Sequence, residues 1–476
     1  MLQTRPVSVA SLARRHPLVV ALAVGTTALV FSLALPVGID EAIWTTVGRW
    51  LGEGRTPYVD AIDNKTPAVF ALAWMVELAP AGFAAARAVV VGALACWLTL
   101  AASSMAVRAG VLGRGPLLVG GLVGALTAML GMFLLTTELM TVALMAGAVL
   151  AVLDARPRLG VVLALGAVLF DPRAIFLFPG YGLLARKALP RPDAQRITVG
   201  LIALVGVGVL AVALHPDLRY GLLELNLGSR QASSWELLPF AVAALASLLP
   251  LVVGMLGLRA TGMAVLGRGT WAMPGWTMVA GGLLVAALSL QPFHHYWILA
   301  VPWIALTVGP LPDPPAQPVR WRLWAAALLL ASMPLVVVAT AWRQSLSSWH
   351  HDYAEAVAIA RSATDGLIMQ FDQLPFVAWY APERTPLRSP WLAYLWWQTS
   401  RTDDHIEDIA SSLPRVSAII EDGGLEAAEP AVSSSALRVW RLLRSEVGAF
   451  GCRLTVGDLF LHLRLDECPE DLRWQA

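Results

Sequence analysis

The sequence predicts an all-α polytopic membrane protein of about 11 transmembrane helices, followed by a small C-terminal α/β extracytoplasmic domain. Hydrophobic residues make up 57% of the 476 residues and charged residues only 14%, against about a quarter in soluble proteins. Apolar runs of spanning length recur between Leu18 and Ala341, and beyond Trp342 charges are spread as in a soluble domain. The predicted domains are therefore residues 1–341 and 342–476.

The composition also excludes several classes of function. A net charge of +1 provides no basic surface, so nucleic acid is excluded as a partner. The chain has no nucleotide-binding glycine loop, zinc-finger spacing or nucleophile elbow. The first apolar segment, residues 18–36, is longer than a signal-peptide core and has no convincing cleavage site after it, so we interpret it as a transmembrane helix.

Basic residues set the predicted topology. If the N-terminus is cytoplasmic, the loops rich in arginine, such as those holding Arg156 and Arg158 or Arg186 to Arg196, all fall inside, and the C-terminal domain falls outside. The predicted spans are residues 18–37, 87–107, 116–135, 139–153, 159–170, 174–185, 197–214, 239–257, 275–291, 296–309 and 323–341.

Titratable residues avoid the middle of every predicted span and collect at the outer ends. Because ionisable groups inside the membrane usually mark ion or proton pathways, their absence favours chemistry at a water-facing surface. The residues concerned are Asp40, Glu41, Asp60, Asp63, Lys65, Glu138, Asp171, Arg173, Asp217, Arg219, Glu224, Arg230, Glu236, His294 and His295.

Residues 38–86 form a long first outer loop. Ile43, Val47 and Trp50 follow Asp40 at helical spacing, which predicts an amphipathic helix in the plane of the membrane interface with its tryptophans at headgroup level. Two turns come next, and the second holds Lys65, the only lysine of the predicted outer face.

The order of these motifs resembles the first outer loop of GT-C glycosyltransferases. It runs from an acidic pair after the first helix through an aromatic-rich helix to Gly-x-x-Pro-Tyr-x-Asp and Asp-x-Lys-x-Pro. The nearest group is that of the protein O-mannosyltransferases and lipid A aminoarabinose transferases. Thr137-Glu138 and the stretch 291–296 resemble later motifs of these enzymes. Two positions depart from the family, because Lys65-Thr66-Pro67 replaces Lys-Pro-Pro and Gln291 replaces a basic residue.

The resemblance implies transfer of a sugar from a polyprenyl-phosphate donor to a lipid, glycan or protein acceptor at the outer face of the cytoplasmic membrane, with inversion. Phosphate leaves without protonation, so the protein must supply a base for the acceptor hydroxyl and donors for the phosphate. Asp40 is the expected general base and Glu41 its catalytic neighbour. Glu41 and Lys65 each have a structural alternative: Glu41 caps the helix that follows it, and Lys65 extends its side chain to the membrane interface.

The expected contacts to the donor phosphate and substrate come from both halves of the membrane domain. The alternative role of Arg173 is a salt bridge to Asp171. The alternative for Glu138 is that of a solvated turn residue. Two adjacent histidines on a helix point about 100° apart, so no metal site is assigned to them, although a divalent cation held by Asp40 and another acid remains open. The full set is Tyr58, Asp63, Lys65, Glu138, Arg173, His294, His295 and Tyr296.

The C-terminal domain alternates predicted helices and strands. Cys452 and Cys468 bracket the last strand and predict a disulfide in an oxidising compartment. The aromatic cluster Trp391–Trp397 is expected to contact sugar, membrane or the transmembrane helices. Helices are predicted at 353–364 and 405–413, and strands at 366–371, 416–420 and 460–465.

Two other functions remain open from the sequence. The protein would otherwise be a transporter or flippase for a lipid-linked or amphipathic substrate, or a scaffold without activity. The uncharged centres of the spans and the long acidic outer loop favour the glycosyltransferase.

Overall fold

The computed structural model describes residues 9–56, 58–59, 65–112, 115–220, 222, 249–250, 252–259, 263–264, 269–288, 294–310, 321–371, 376–385, 402–422 and 434–468. Over these ranges the protein is mainly helical and carries a small mixed sheet. The aromatic cluster at 391–397 and most of the predicted span at 239–257 lie outside them.

The helices follow the predicted spans closely in the first half of the chain. Their bounds are α1 Val9–Ala34, α2 Ile39–Gly52, α3 Pro67–Glu77, α4 Phe83–Arg108, α5 Gly115–Leu130, α6 Thr137–Leu153, α7 Pro157–Phe170, α8 Phe178–Ala188, α9 Arg191–Leu214, α10 Ala272–Leu288, α11 Trp321–Ala363, α12 Phe376–Tyr380, α13 Thr402–Ser412 and α14 Ser434–Val447.

The chain divides into two compact units. The helical unit comprises Met1–Leu35, Ala79–Val209 and Ser233–Ala341, and the mixed unit comprises Pro36–Leu78, Leu210–Ala232 and Trp342–Ala476. Residues 38–78 of the predicted first outer loop thus belong to the same unit as the C-terminal segment, which the sequence did not predict. The boundary at 341/342 lies inside α11, a continuous helix of 43 residues.

Three helices are long and apolar enough to cross a bilayer, as judged over the described residues: Pro17–Ala34, Phe83–Arg108 and Arg191–Leu214. Their exposed leucines and valines, such as Val199 and Leu210, suit a lipid environment. The apolar helices α5, α6, α7 and α10 are shorter, at 10–17 residues, so the number of spans stays a prediction. The predicted span at 296–309 consists mostly of 3₁₀ turns, His294–Leu299 and Val301–Trp303, followed by one α-helical turn.

The helical unit is held together by close backbone contacts. A Cβ at Gly92 of α4 would lie 2.8 Å from the carbonyl oxygen of Gly25 in α1, so only glycine permits this approach.

The fully buried Arg87 donates to the carbonyls of Ser32 and Leu35 at 2.5 and 2.7 Å. It thereby ties α4 to the C-terminal end of α1, where the last carbonyls of a helix have few or no helical partners.

In the mixed unit, α2 packs against α3. The sequence predicted no helix at 67–77, although Pro67 at its first position is a usual helix start. The helix at α2 is confirmed. Trp44 and Trp50 are only 3% and 0% exposed, so their rings do not contact headgroups as predicted, and the place of the helix in the interface plane stays a prediction. Their apolar rings are used in the protein core instead of at a membrane surface.

The sheet of the mixed unit has the strand order β3-β4-β6-β5. Strand β3 pairs parallel with β4, while β6 pairs antiparallel with both β4 and β5. A separate two-residue pair, β1 Met263–Ala264 with β2 Gly309–Pro310, belongs to the helical unit. The sheet strands are β3 Leu367–Phe371, β4 Val416–Glu421, β5 Cys452–Val456 and β6 Leu459–Leu463.

Both faces of this sheet are covered. One face forms a core with α11 and α12 that includes Tyr353 and Phe376, and Ala42 of α2 also belongs to this core. The other face packs against α13 and α14 through Ile409 and Leu443. The predicted disulfide between Cys452 and Cys468 is confirmed.

Candidate functional site

The predicted site residues fall into two groups, one in each unit. The first-loop site contains Asp40, Glu41, Tyr58 and Lys65, and the Arg173 cluster contains Glu138, Asp171, Arg173, His295 and Tyr296. Asp63 lies outside the described residues, as does the side chain of His294.

Asp40 stands in the first turn of α2, and its side chain is exposed. Within the described ranges its carboxylate has no hydrogen bond or ion pair to another group. A helix N-terminus stabilises negative charge, since the backbone N–H groups of the first turn point toward it. Asp40 is therefore a carboxylate that a substrate can reach.

Glu41, unlike the exposed Asp40, is buried: it is only 2% exposed and its side chain bonds to the backbone. Its Oε2 accepts a hydrogen bond of 2.9 Å from the N–H of Gly38, the residue that caps α2. This is the carboxylate half of a capping box, the half that remains when the cap residue is glycine. The geometry thus favours the capping alternative for Glu41 and fixes the start of the helix that carries Asp40.

Tyr58 and Lys65 are joined through the backbone. Tyr58 is 2% exposed, adopts a left-handed φ of 65°, and donates from its hydroxyl to the carbonyl of Lys65. Its ring also meets Phe70 of α3 edge-on at 6.4 Å. Tyr58 therefore stabilises the conformation of the loop. Its hydrogen bond holds the backbone of Lys65, whose side chain is partly exposed.

Two contacts inside the mixed unit tie the first loop to the C-terminal segment, and neither was predicted from the sequence. Arg49 of α2 forms an ion pair with Glu77, donates to the carbonyl of Trp379 at 2.9 Å and lies 4.7 Å from the centre of that indole ring. The charged group and the aromatic face attract each other. No local pattern could have indicated this contact, since Arg49 and Trp379 are 330 residues apart.

The second contact involves His350 of α11. Its Nε2 donates to the carbonyl of Val37 at 2.8 Å, and its Nδ1 is 2.6 Å from the hydroxyl of Tyr380. That hydroxyl also lies 3.1 Å from the His350 carbonyl. Val37 precedes Asp40 by three residues, so this histidine holds the entrance to α2.

The Arg173 cluster is built where several helical elements begin or end. Glu138 is in the first turn of α6, Asp171 caps the end of α7, and Arg173 follows in a 3₁₀ turn. His295 and Tyr296 come from the 3₁₀ turn after α10. Because α6 and α7 are consecutive packed helices joined by a tight turn, the start of one lies beside the end of the other.

Arg173 is the centre of this cluster. Its Nε is 2.8 Å from Oδ1 of Asp171, its Nη2 is 2.5 Å from Oε1 of Glu138, and its guanidinium carbon lies 4.5 Å from the centre of the Tyr296 ring. The side chains of both acids are only 3% exposed. The interpretation of Glu138 as a solvated turn residue is therefore wrong.

His295 adds a further titratable group. Its Nε2 lies 3.9 Å from Oε1 of Glu138, too far for a hydrogen bond but close enough for attraction when the imidazole is protonated. Its ring also meets Tyr296 edge-on at 4.7 Å. The oxygen of Glu138 thus faces both a guanidinium and an imidazole.

The charges of the cluster indicate what it can bind. Burial alone would lower the pKa of Arg173, but Asp171, Tyr296 and Glu138 raise it well above its usual value. The guanidinium therefore stays charged, and two carboxylates already share it. Of the two roles predicted for Arg173, the salt bridge to Asp171 is the interaction present, and its role in phosphate binding stays a prediction.

The same side chains could hold a metal ion only if several of them lay close together. Across the described ranges, no three histidine, cysteine or acidic side chains stand close enough together to hold an ion. Neither the protein-family models nor the curated proteins contain a match to this chain.

Proposed function

We propose that this protein is a membrane glycosyltransferase of the GT-C type, which moves a sugar from a polyprenyl-phosphate donor to an acceptor on the outer face of the cytoplasmic membrane. The single observation that carries the proposal is Asp40. It is an exposed carboxylate on the first turn of a helix, at the position where the motif order of the first loop resembles this family.

In the proposed reaction, Asp40 accepts the proton of the acceptor hydroxyl as the hydroxyl oxygen attacks the anomeric carbon. The bond between that carbon and the phosphate oxygen breaks, and polyprenyl phosphate leaves with the electron pair. One displacement inverts the anomeric centre. General bases of this kind contribute about 10²- to 10⁴-fold to the rate.

Lys65 supplies a positive charge for the departing phosphate in this proposal. Glu41 and Tyr58 act indirectly, the first by fixing the start of α2 and the second by holding the backbone of Lys65. The substrate contacts predicted for Glu138, Arg173 and His295, which belong to the helical unit, stay a separate prediction.

Three features of the chain support an outward-facing membrane enzyme. The disulfide of the mixed unit is typical of oxidising compartments outside the cytoplasm. The first loop and the C-terminal segment belong to the same compact unit, as expected if both lie on one side of the membrane. The apolar helices of the helical unit suit a bilayer.

The test is release of polyprenyl phosphate by the purified full-length protein in detergent. The protein is incubated with a panel of polyprenyl-phosphate hexoses and pentoses and with an envelope lipid extract as acceptor. An enzyme releases polyprenyl phosphate, whereas a transporter or flippase releases none.

Asp40→Asn is expected to lower the release rate by about 10²- to 10⁴-fold, because an amide cannot accept the proton. The matched control is Glu53→Gln, which alters an exposed acid at the other end of α2. The control should keep the wild-type rate. Full activity of Asp40→Asn would refute the role of Asp40 as base.

A further inference from the structure

A groove of about 460 Å³ opens between α4, α6 and α7 of the helical unit. Its volume is within the range of about 300–1,000 Å³ typical of ligand sites. It follows α6 from Met140 to Asp154, a distance of about 21 Å at the rise of an α-helix. It is therefore long and narrow, unlike a pocket for a compact solute.

The walls of the groove are apolar over most of this length. Leu94, Trp97, Gly147 and Leu163 line its middle. The indole Nε1 of Trp97 donates to the carbonyl of Ala143 at 2.9 Å, so the ring offers only its hydrocarbon surface to an occupant. Such a wall suits an aliphatic chain.

The polar mouth of the groove lies at the turn between α6 and α7. Asp154 is there, but its carboxylate is already paired with Arg108. Arg156, which also lines the groove, and Arg158 are both exposed, so the mouth carries excess positive charge.

The same turn is the start of α7. Arg156 is its N-cap residue, and Pro157 at the first helical position has no N–H, so in this first turn Arg158 and Leu159 offer the N–H groups that attract anions. A positive side chain and a helix N-terminus thus meet at the end of an apolar groove. This combination matches an anionic headgroup joined to a hydrocarbon chain.

We propose that this groove binds an anionic phospholipid of the bilayer, with one acyl chain along α6 and the phosphate at Arg156 and the start of α7. The site is separate from the Arg173 cluster, since Glu138 is at the opposite end of α6. It is also independent of the proposed transfer reaction.

The experiment is native mass spectrometry of the full-length protein in detergent with equal amounts of palmitoyl-oleoyl phosphatidylglycerol and phosphatidylcholine. The wild type should retain phosphatidylglycerol in preference. Arg156→Ala should weaken that retention about fivefold, the effect of one basic residue at an anionic lipid surface. Arg186→Ala is the matched control, because it removes an exposed charge from the last turn of α8, outside the groove.

A third variant, Ala151→Phe, fills the groove and should reduce retention of both lipids. The proposal is overturned if the wild type retains the two lipids equally, or if Arg156→Ala and Arg186→Ala weaken retention to the same degree. It is also overturned if folded Ala151→Phe retains phosphatidylglycerol like the wild type. Arg156 is exposed, so its replacement tests the headgroup contact without disturbing the packing of the helices.

Discussion

The first-loop site and the Arg173 cluster use the same kinds of side chain in opposite ways. The carboxylate of Asp40 is exposed and, among the described groups, has no hydrogen bond or ion pair, whereas those of Glu138 and Asp171 are buried and share one guanidinium. A carboxylate that must take a proton from a substrate has to be reachable, and one that neutralises a buried arginine does not. Under the proposed function, this difference favours Asp40 over Glu138 as the group that accepts the proton.

The largest expected difference in stability concerns Arg173. Its replacement by alanine leaves two buried carboxylates without their cation, which should lower the free energy of unfolding by about 3–5 kcal/mol. Equilibrium unfolding in mixed detergent and dodecyl sulfate micelles measures it. Arg158→Ala, at the other end of α7 and exposed, should change it by less than about 0.5 kcal/mol. Equal effects of the two variants would show that the cluster contributes nothing to the fold.

A smaller effect separates Glu41 from Asp40. Glu41→Ala removes the acceptor for the Gly38 N–H and should destabilise the protein by about 0.5–2 kcal/mol. Glu41→Gln keeps an acceptor oxygen, so it should retain far more transfer activity than Asp40→Asn. The release assay compares the two directly. If Glu41→Gln lost activity as completely as Asp40→Asn, the glutamate would take part in the chemistry itself.

The last effect depends on pH and concerns Tyr380, which contacts the His350 side chain that also binds the Val37 carbonyl of the first loop. Burial raises the pKa of Tyr380 to about 12, whereas an unfolded tyrosine ionises near pH 10. The stability from its neutral phenol is fully present below about pH 10 and is lost as the pH rises toward 12. Tyr380→Phe should show a weaker loss of unfolding free energy between about pH 9 and pH 11.5 than the wild type. An identical loss in both proteins would mean that Tyr380 does not couple to the fold.

Local patterns predicted the elements that local forces determine. Helix α2 follows from the spacing of Ile43, Val47 and Trp50, and the bonded cysteines follow from their positions around a strand. Strand β5 and helix α14 were missed although both have a local pattern: apolar and polar residues alternate along β5, and Leu437, Trp440 and Leu443 recur at helical spacing in α14. Their places in the sheet and its second core depend on contacts with distant segments. The burial of Trp50 also depends on packing in the mixed unit and cannot be read from a helical period.

The two sites could likewise be predicted only in part from the sequence. The sequence singled out Glu138, Arg173, His295 and Tyr296 from their places at helix ends, and the structure brings these four together. It did not reveal that Asp171 and Glu138 share the arginine. Nor did it reveal the contact of Arg49 with Trp379 or that of His350 with Val37, since both join distant parts of the chain.

The most direct test of the central claim is an electron cryomicroscopy structure of full-length Asp40→Asn with a polyprenyl-phosphate sugar that the wild type consumes. We expect the anomeric carbon close enough to residue 40 for one acceptor hydroxyl to fit between them, and the phosphate against Lys65. A donor bound with its sugar away from residue 40, or with its phosphate held only by Arg173, would contradict it.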